Sequence, residues 1–291
     1  IEKAFFVKYE VWPNYFTQLK ANEIPFYLIS ATFRKEQIYF KPTGKFFRNL
    51  LKLPNQIFVQ EVVSKSILET HGIESIVAGD TRYDRVYETA KKAIPNEIIR
   101  RFSSGKFTLI AGSSWEKEEE IICNVFQDLN KSFKLIIAPH DISENHVKGI
   151  LNLIEKTTKV IRYSEINKGV NLREYDVLIL DNIGLLSNAY QYGTVAFVGG
   201  GFTNALHNIL EPATFGLPVF YGNNHSKFPE GKEMKTHGAG IEVKASIELK
   251  KELHNFMLNE EELKRMSKKS ATFIKERTGA TTHIYDSTCK F

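Results

Sequence analysis

Short apolar runs alternate along the chain with stretches whose apolar positions recur at helical spacing, the pattern of parallel βα units rather than of an all-β or all-α domain. In the first part the expected strands are Lys3 to Val7, Phe26 to Ser30, Ile57 to Gln60 and Ser75 to Ala78. Amphipathic stretches lie between them at Tyr15 to Ala21, Gly44 to Leu51 and Val62 to His71. From Thr81 to Gly105 the chain turns charged, carries Pro95 and ends in Ser103-Ser104-Gly105, which predicts a crossing between domains. A second series follows, with strands expected at Phe107 to Ala111, Lys134 to Ala138, Val160 to Tyr163, Val177 to Leu180, Val195 to Val198, Pro218 to Tyr221 and Gly240 to Val243. The Lys- and Glu-rich remainder from Ile247 reads as two outer helices, with the last of the chain expected to be able to pack back on the first domain. The fold class is α/β, with boundaries at 1–88, 89–105 and 106–291.

A length of 291 residues accommodates two α/β domains, each with its own core. No apolar run approaches the roughly 18 to 20 residues of a membrane-spanning helix. Cys123 and Cys289 stand far apart, without the spacing of a zinc site or a disulfide framework. The net charge of +5 is dispersed in short clusters such as Lys91-Lys92 and Lys268-Lys269, and no zinc-finger or RNP pattern accompanies it, so nucleic acid is not an expected partner. The opening Ile1, with no initiator Met and no signal-like segment before Ala4 to Val7, suggests that an upstream part is missing.

The strongest local signal is the apolar run Val195 to Val198 leading into Gly199-Gly200-Gly201, then Leu206-His207-Asn208-Ile209-Leu210-Glu211. If a helix opens at the glycines, its bare N–H groups and positive end form a phosphate cradle, and His207, Asn208 and Glu211 share one face, where Glu211 can accept ribose hydroxyls. A capped helix in which His207 and Glu211 satisfy backbone groups explains the same residues. Ser113 and Ser114 precede another expected helix, where they can hold an anion or cap it, and Glu118, Glu119 and Glu120 fit its macrodipole. Pro139-His140-Asp141 and Asp181-Asn182-Ile183-Gly184-Leu185 end two further strands, on the carboxyl edge where open α/β sheets bind ligands; a surface histidine and an N-cap are the plainer alternatives. In the first part, Glu10 follows a strand and Arg82 lies near the crossing, where a turn carboxylate and an ion pair with Asp80 or Asp84 account for them equally.

Taken in order, Glu10-Val11-Trp12-Pro13-Asn14, Gly79-Asp80-Thr81-Arg82-Tyr83-Asp84, Ala111-Gly112-Ser113-Ser114, Ala138-Pro139-His140, Phe197-Val198-Gly199-Gly200 and His207-Asn208-Ile209-Leu210-Glu211 resemble the 3-deoxy-D-manno-octulosonic acid (Kdo) transferases over nearly the whole chain. The resemblance implies a GT-B architecture of two Rossmann-like domains, the first incomplete here, and inverting transfer of Kdo from CMP-Kdo to a lipid A precursor at the cytoplasmic face of the bacterial inner membrane. It implies CMP contacts at Pro139, His140, Ile183, Gly184, Leu185, Asn208, Ile209, Leu210 and Glu211. Ser113, Ser114, Gly199, Gly200 and His207 would lie near the phosphate, with Arg82 in the cleft.

No cofactor is expected beside the donor CMP-Kdo, and no DxD-type metal motif is evident. Two features depart from the family: its Arg-His-Pro-Glu-Arg step is reduced to Pro139-His140-Asp141-Ile142-Ser143, and its Gly-Glu-Leu step reads Gly184-Leu185-Leu186. Its general base is a Glu in a Gly-Glu step, and this chain has no such pair. The base, the membrane-anchoring helix and much of the acceptor surface are therefore expected in an upstream segment, leaving Glu10 as a supporting carboxylate and this chain inactive by itself. A GT-B-fold nucleotide-sugar epimerase and a non-catalytic nucleotide-binding protein are the alternative functions.

Overall fold

The computed structural model describes residues 1–289, which form two compact units. Unit 1 comprises Ile1–Arg85 and the described residues from Arg277 onward; unit 2 is Val86–Glu276.

Unit 1 contains β1 (Ala4–Val7), α1 (Pro13–Ala21), β2 (Phe26–Ala31), α2 (Lys45–Leu50), β3 (Gln56–Val59), α3 (Val62–Glu69), β4 (Ile76–Val77) and the start of α4 (Thr81–Lys91). Its strands form one parallel sheet in the order β1-β2-β3-β4. Alternation along the strands divides the buried residues between two faces. Leu28, Ile57 and Val59 pack with Ile67 and Leu68 of α3, whereas Tyr27 and Phe58 face Ile284. Pro13 opens α1, its missing N–H costing nothing in the first turn.

Unit 2 continues from α4 with α5 (Glu97–Ser103), β5 (Thr108–Ser114), α6 (Glu116–Asp128), β6 (Lys134–Pro139), α7 (Glu144–Leu153), β7 (Val160–Arg162), β8 (Val177–Ile179) and α8 (Leu186–Ala189). It closes with β9 (Val195–Val198), α9 (Leu210–Thr214), β10 (Val219–Gly222), α10 (Pro229–Thr236), β11 (Gly240–Val243), α11 (Ser246–Leu258) and α12 (Glu260–Lys275). Residues 89–105, expected as an interdomain crossing, fold into this unit: Asn96 caps α5 through the Ile99 N–H, and Ile99 and Phe102 enter the core.

The seven strands are parallel in the order β11-β10-β9-β5-β6-β8-β7. Leu109, Ala111, Leu135, Ile137, Val195 and Phe197 face one core cluster, while Ile110, Ile136 and Ala196 face the other. Such two-sided burial explains why these strands read as continuous apolar runs. Because β5 is the first strand of the unit yet lies between β6 and β9, connections leave it in opposite directions. The crevice outside the carboxyl ends of β5 and β9 is the switch point where such sheets bind ligands.

The segment after Ile247 forms three helices rather than the expected two. Asn259 caps α12 by accepting the Glu262 N–H at 3.0 Å, and Gly279, at φ +113°, separates α12 from α13 (Ala280–Cys289). Helix α13 belongs to unit 1, where Asp84 accepts the backbone N–H groups of Gly279 at 2.6 Å and Thr281 at 2.8 Å. Among the described residues no helix is long and apolar enough to cross a membrane.

Candidate functional site

At the end of β5 the backbone of Ser113 takes a left-handed conformation, φ +51°, and the pairing with β6 shifts register between Gly112 and Ser114. This kink leads into Trp115, the residue before α6. The Trp115 indole stacks on the His140 imidazole with centroids 4.4 Å apart, and His140 stacks on His207 at 4.6 Å. Trp115 Nε1–H also donates to His207 Nε2 at 3.3 Å, and the His140 N–H donates to the Ser114 carbonyl at 2.9 Å. Three segments that are remote in sequence thus converge at the switch point, with His140 exposed and the other two rings half-buried. Burial, reinforced by the neighbouring His140, pushes the His207 pKa below the usual imidazole value, so its Nε2 is favoured as an acceptor.

The glycine segment does not open a helix. Gly199 to Ile209 form a turn and loop, and α9 begins only at Leu210, with five residues. The glycines serve close backbone approach: a Cβ on Gly199 would lie 2.1 Å from the Ser113 carbonyl oxygen, and one on Gly201 would lie 2.4 Å from Gly222 N. Gly200 sits at φ +80°, readily available to glycine. The loop amides have internal partners as well. Gly199 N donates to Gly112 O, Ala205 N to Gly200 O, His207 N to Gly199 O, and Gly200 N to the Glu118 carboxylate. The expected cradle at a positive helix end is accordingly absent from this segment, because no helix opens at the glycines, and turn hydrogen bonds and Glu118 engage the N–H groups of Gly199, Gly200, Ala205 and His207.

Glu118 and Glu119 stand in the first turn of α6, as the macrodipole reading expected, and each is only 1 % exposed. Glu118 accepts the Gly200 N–H at 3.0 Å and the Trp115 N–H at 3.2 Å. Burial raises its pKa, opposed by hydrogen bonds from backbone amides including those of Trp115, Gly200 and Phe202. Glu119 Oε1 accepts Ser114 Oγ–H at 2.9 Å and lies 3.0 Å from His146 Nε2. The Ser114 hydroxyl is therefore turned into the protein, away from the crevice where a phosphate contact was expected. The signal for both carboxylates was present in the helical period: Glu118 and Glu119 lie one turn before Ile122 and Cys123, on the buried face of α6. Trp115 lacked such a signal.

The remaining expected residues lie at distinct places. Pro139 is buried at the end of β6. Ile183 is 89 % exposed, and Gly184 and Leu185 continue its loop after β8. Neither Asp181 nor Asn182 caps α8, whose N-cap is Leu185; Asp181 instead accepts from Ser164 N and Arg162 Nε, both at 2.9 Å. Asn208 Nδ2 donates to Glu211 Oε1 at 2.9 Å, while its Oδ1 accepts the Leu210 N–H. His207 and Asn208 precede α9 rather than sharing its face with Glu211; Ile209 and Leu210 are buried. In unit 1, Arg82 Nε pairs with Asp80 at 2.8 Å, and exposed Glu10 lies 3.5 Å from Val7 N, closing its own turn. Among the described residues no group of three or more His, Cys, Asp or Glu side chains is placed to hold a metal ion.

Residues 2–85 match the family described as 3-deoxy-D-manno-octulosonic-acid transferase (kdotransferase). The chain is 36% identical over 165 residues to the 3-deoxy-D-manno-octulosonic acid transferase of Aquifex aeolicus, a match covering 55% of this chain and 44% of the relative. With the Haemophilus influenzae enzyme of the same name it shares 26% identity across 95% of this chain and 66% of the relative. The chain thus spans about half the length of the curated relatives it matches.

Among solved structures, the C-terminal CMP-Kdo binding domain of WaaA from Acinetobacter baumannii superposes with a TM-score of 0.54 at 17% identity, covering 67% of this chain and all of that domain. The UDP-GlcNAc 2-epimerase of Neisseria meningitidis gives 0.61 at 16% identity over 95% of this chain and 75% of its own. These likenesses establish a GT-B-type fold. With the family match over 2–85 and relatives matched along the rest, the chain is similar to the 3-deoxy-D-manno-octulosonic acid (Kdo) transferases.

Proposed function

We propose that the complete protein transfers Kdo from CMP-Kdo to a lipid A precursor at the cytoplasmic face of the bacterial inner membrane, and that unit 2 binds the cytidine monophosphate part of the donor. The observation that carries this reading is the convergence of Trp115, His140 and His207 at the switch point between β5 and β9. An exposed imidazole on an aromatic stack offers a π-face to a base and N–H groups to a phosphate. Asn208 and Glu211 add polar groups for ribose hydroxyls. In the transfer, a carboxylate takes the proton of the acceptor hydroxyl, whose oxygen bonds to the anomeric carbon. The bond from that carbon to the phosphate oxygen breaks, and its electron pair leaves with CMP. In this reading imidazole N–H groups, rather than a helix terminus, donate hydrogen bonds to the departing phosphate.

Calorimetry on the 291-residue chain tests donor binding: CMP binds in preference to UDP, and His140→Ala weakens CMP by about 1–3 kcal/mol, the range for loss of a base-stacking ring. A preference for UDP overturns the CMP assignment. For the reaction, the complete protein is incubated with CMP-Kdo and a tetraacylated lipid A precursor; folded protein that yields no Kdo-lipid sinks the proposal.

A further inference from the structure

Glycine turns at the end of a parallel strand commonly receive phosphate through their free N–H groups. Here a carboxylate of the protein occupies that position. Glu118 reaches from the first turn of α6, is 1 % exposed, and accepts the N–H groups of Gly200 at 3.0 Å and Trp115 at 3.2 Å. Its two backbone partners at Trp115 and Gly200 belong to the ring cluster and the glycine turn respectively, so one side chain ties the two together. The turn is also closed by Gly199 N to Gly112 O at 3.0 Å and Asn224 N to Gly201 O at 2.7 Å.

We propose that Glu118 is a specificity-determining residue of the donor site, an internal anion that fills the turn where a second phosphate would bind and so restricts the site to nucleoside monophosphates. The inference rests on the reading of unit 2 as the nucleotide-binding unit. A single phosphate is met at His140 and His207, outside the turn. A nucleoside diphosphate has to place its extra charge against the Glu118 carboxylate and the amides it engages. Glu118 acts through the turn and positions it; it does not touch the donor.

Titration calorimetry with CMP and CDP on the 291-residue chain and on Glu118→Gln tests this, since the amide keeps the shape and removes the charge. The parent is expected to bind CMP at least about tenfold more tightly than CDP, and Glu118→Gln to bring that ratio below about threefold, whereas Glu118→Asp, which keeps the charge, retains the preference. A ratio unchanged in folded Glu118→Gln overturns the proposal and leaves the donor-site reading standing. A parent that binds neither nucleotide sinks the donor-site reading and this role with it.

Hydrogen exchange on the parent supplies a measurement that needs no variant. The Gly200 and Trp115 amides are expected to be protected in the free chain and equally protected with CMP. New protection at these amides on adding CMP puts the phosphate inside the turn and overturns the proposal.

Discussion

The Trp115 indole N–H donates to His207 Nε2 at 3.3 Å across 92 positions of sequence. An acceptor nitrogen carries no proton, so this bond holds His207 as the neutral Nδ1–H tautomer, and protonation of Nε2 breaks it. Burial and the charge of a protonated His140 both depress the His207 pKa. For a base with a depressed folded value, stability is fully present above the ordinary histidine value near 6.5 and is lost as pH falls through the folded value. Trp115 emission, recorded in a Trp12→Phe background, should change with a midpoint below 6.5, and His207→Ala should abolish that transition.

Glu118 gives the opposite sign. Burial raises its pKa above the ordinary glutamate value, so its contribution to stability is complete below that value and declines as pH rises through the folded pKa. Denaturant unfolding at a series of pH values should show the parent losing stability relative to Glu118→Gln over that window. A difference that does not vary with pH contradicts the raised value.

Gly200 tests the turn itself. Its φ of +80° strains any L-residue, and an added Cβ would lie 2.1 Å from the Ala205 carbonyl oxygen. Gly200→Ala is expected to cost about 1–3 kcal/mol for the backbone conformation alone, more if the loop cannot shift, as measured by urea unfolding. The same substitution at Gly149, where nothing lies within 4 Å of the built Cβ, provides the control.

Asp84 ties the returning chain to unit 1. It accepts the Gly279 N–H at 2.6 Å, the Thr281 N–H at 2.8 Å and the Thr281 hydroxyl at 3.0 Å. Asp84→Ala removes these acceptors at the start of α13 and should destabilise the helix by about 1.5–3 kcal/mol, with accelerated hydrogen exchange confined largely to residues 280–289. Asp84→Asn, which keeps one acceptor oxygen, should lose less.

The central strands of unit 2 were legible because they are buried on both faces: Leu109, Ile110 and Ala111 are all fully buried, so no polar residue interrupts the run. The helix expected at Gly199 was misread for a physical reason. Three glycines after a strand suit either a phosphate-binding helix start or close packing of backbone on backbone, and only the neighbouring Ser113 and Gly222 decide between them. His140 was singled out at a strand end and His207 on the helix expected after the glycines, but their stacking depends on the place of β5 between β6 and β9, which local pattern does not encode.

By itself the sequence determined the α/β class, the order of the strands along the chain, and a family resemblance resting on residues such as His140 and His207-Asn208, because side-chain period and residue type act locally. The tertiary structure alone decided that Glu118 fills the glycine turn, that Ser114 points at Glu119 rather than the crevice, and that Asp84 is the residue that holds the start of α13. Each of these is a hydrogen bond or a packing choice between groups whose partner local patterning does not name. For a buried carboxylate or hydroxyl, whether a partner lies within about 3 Å separates an internal structural link from a group open to a ligand.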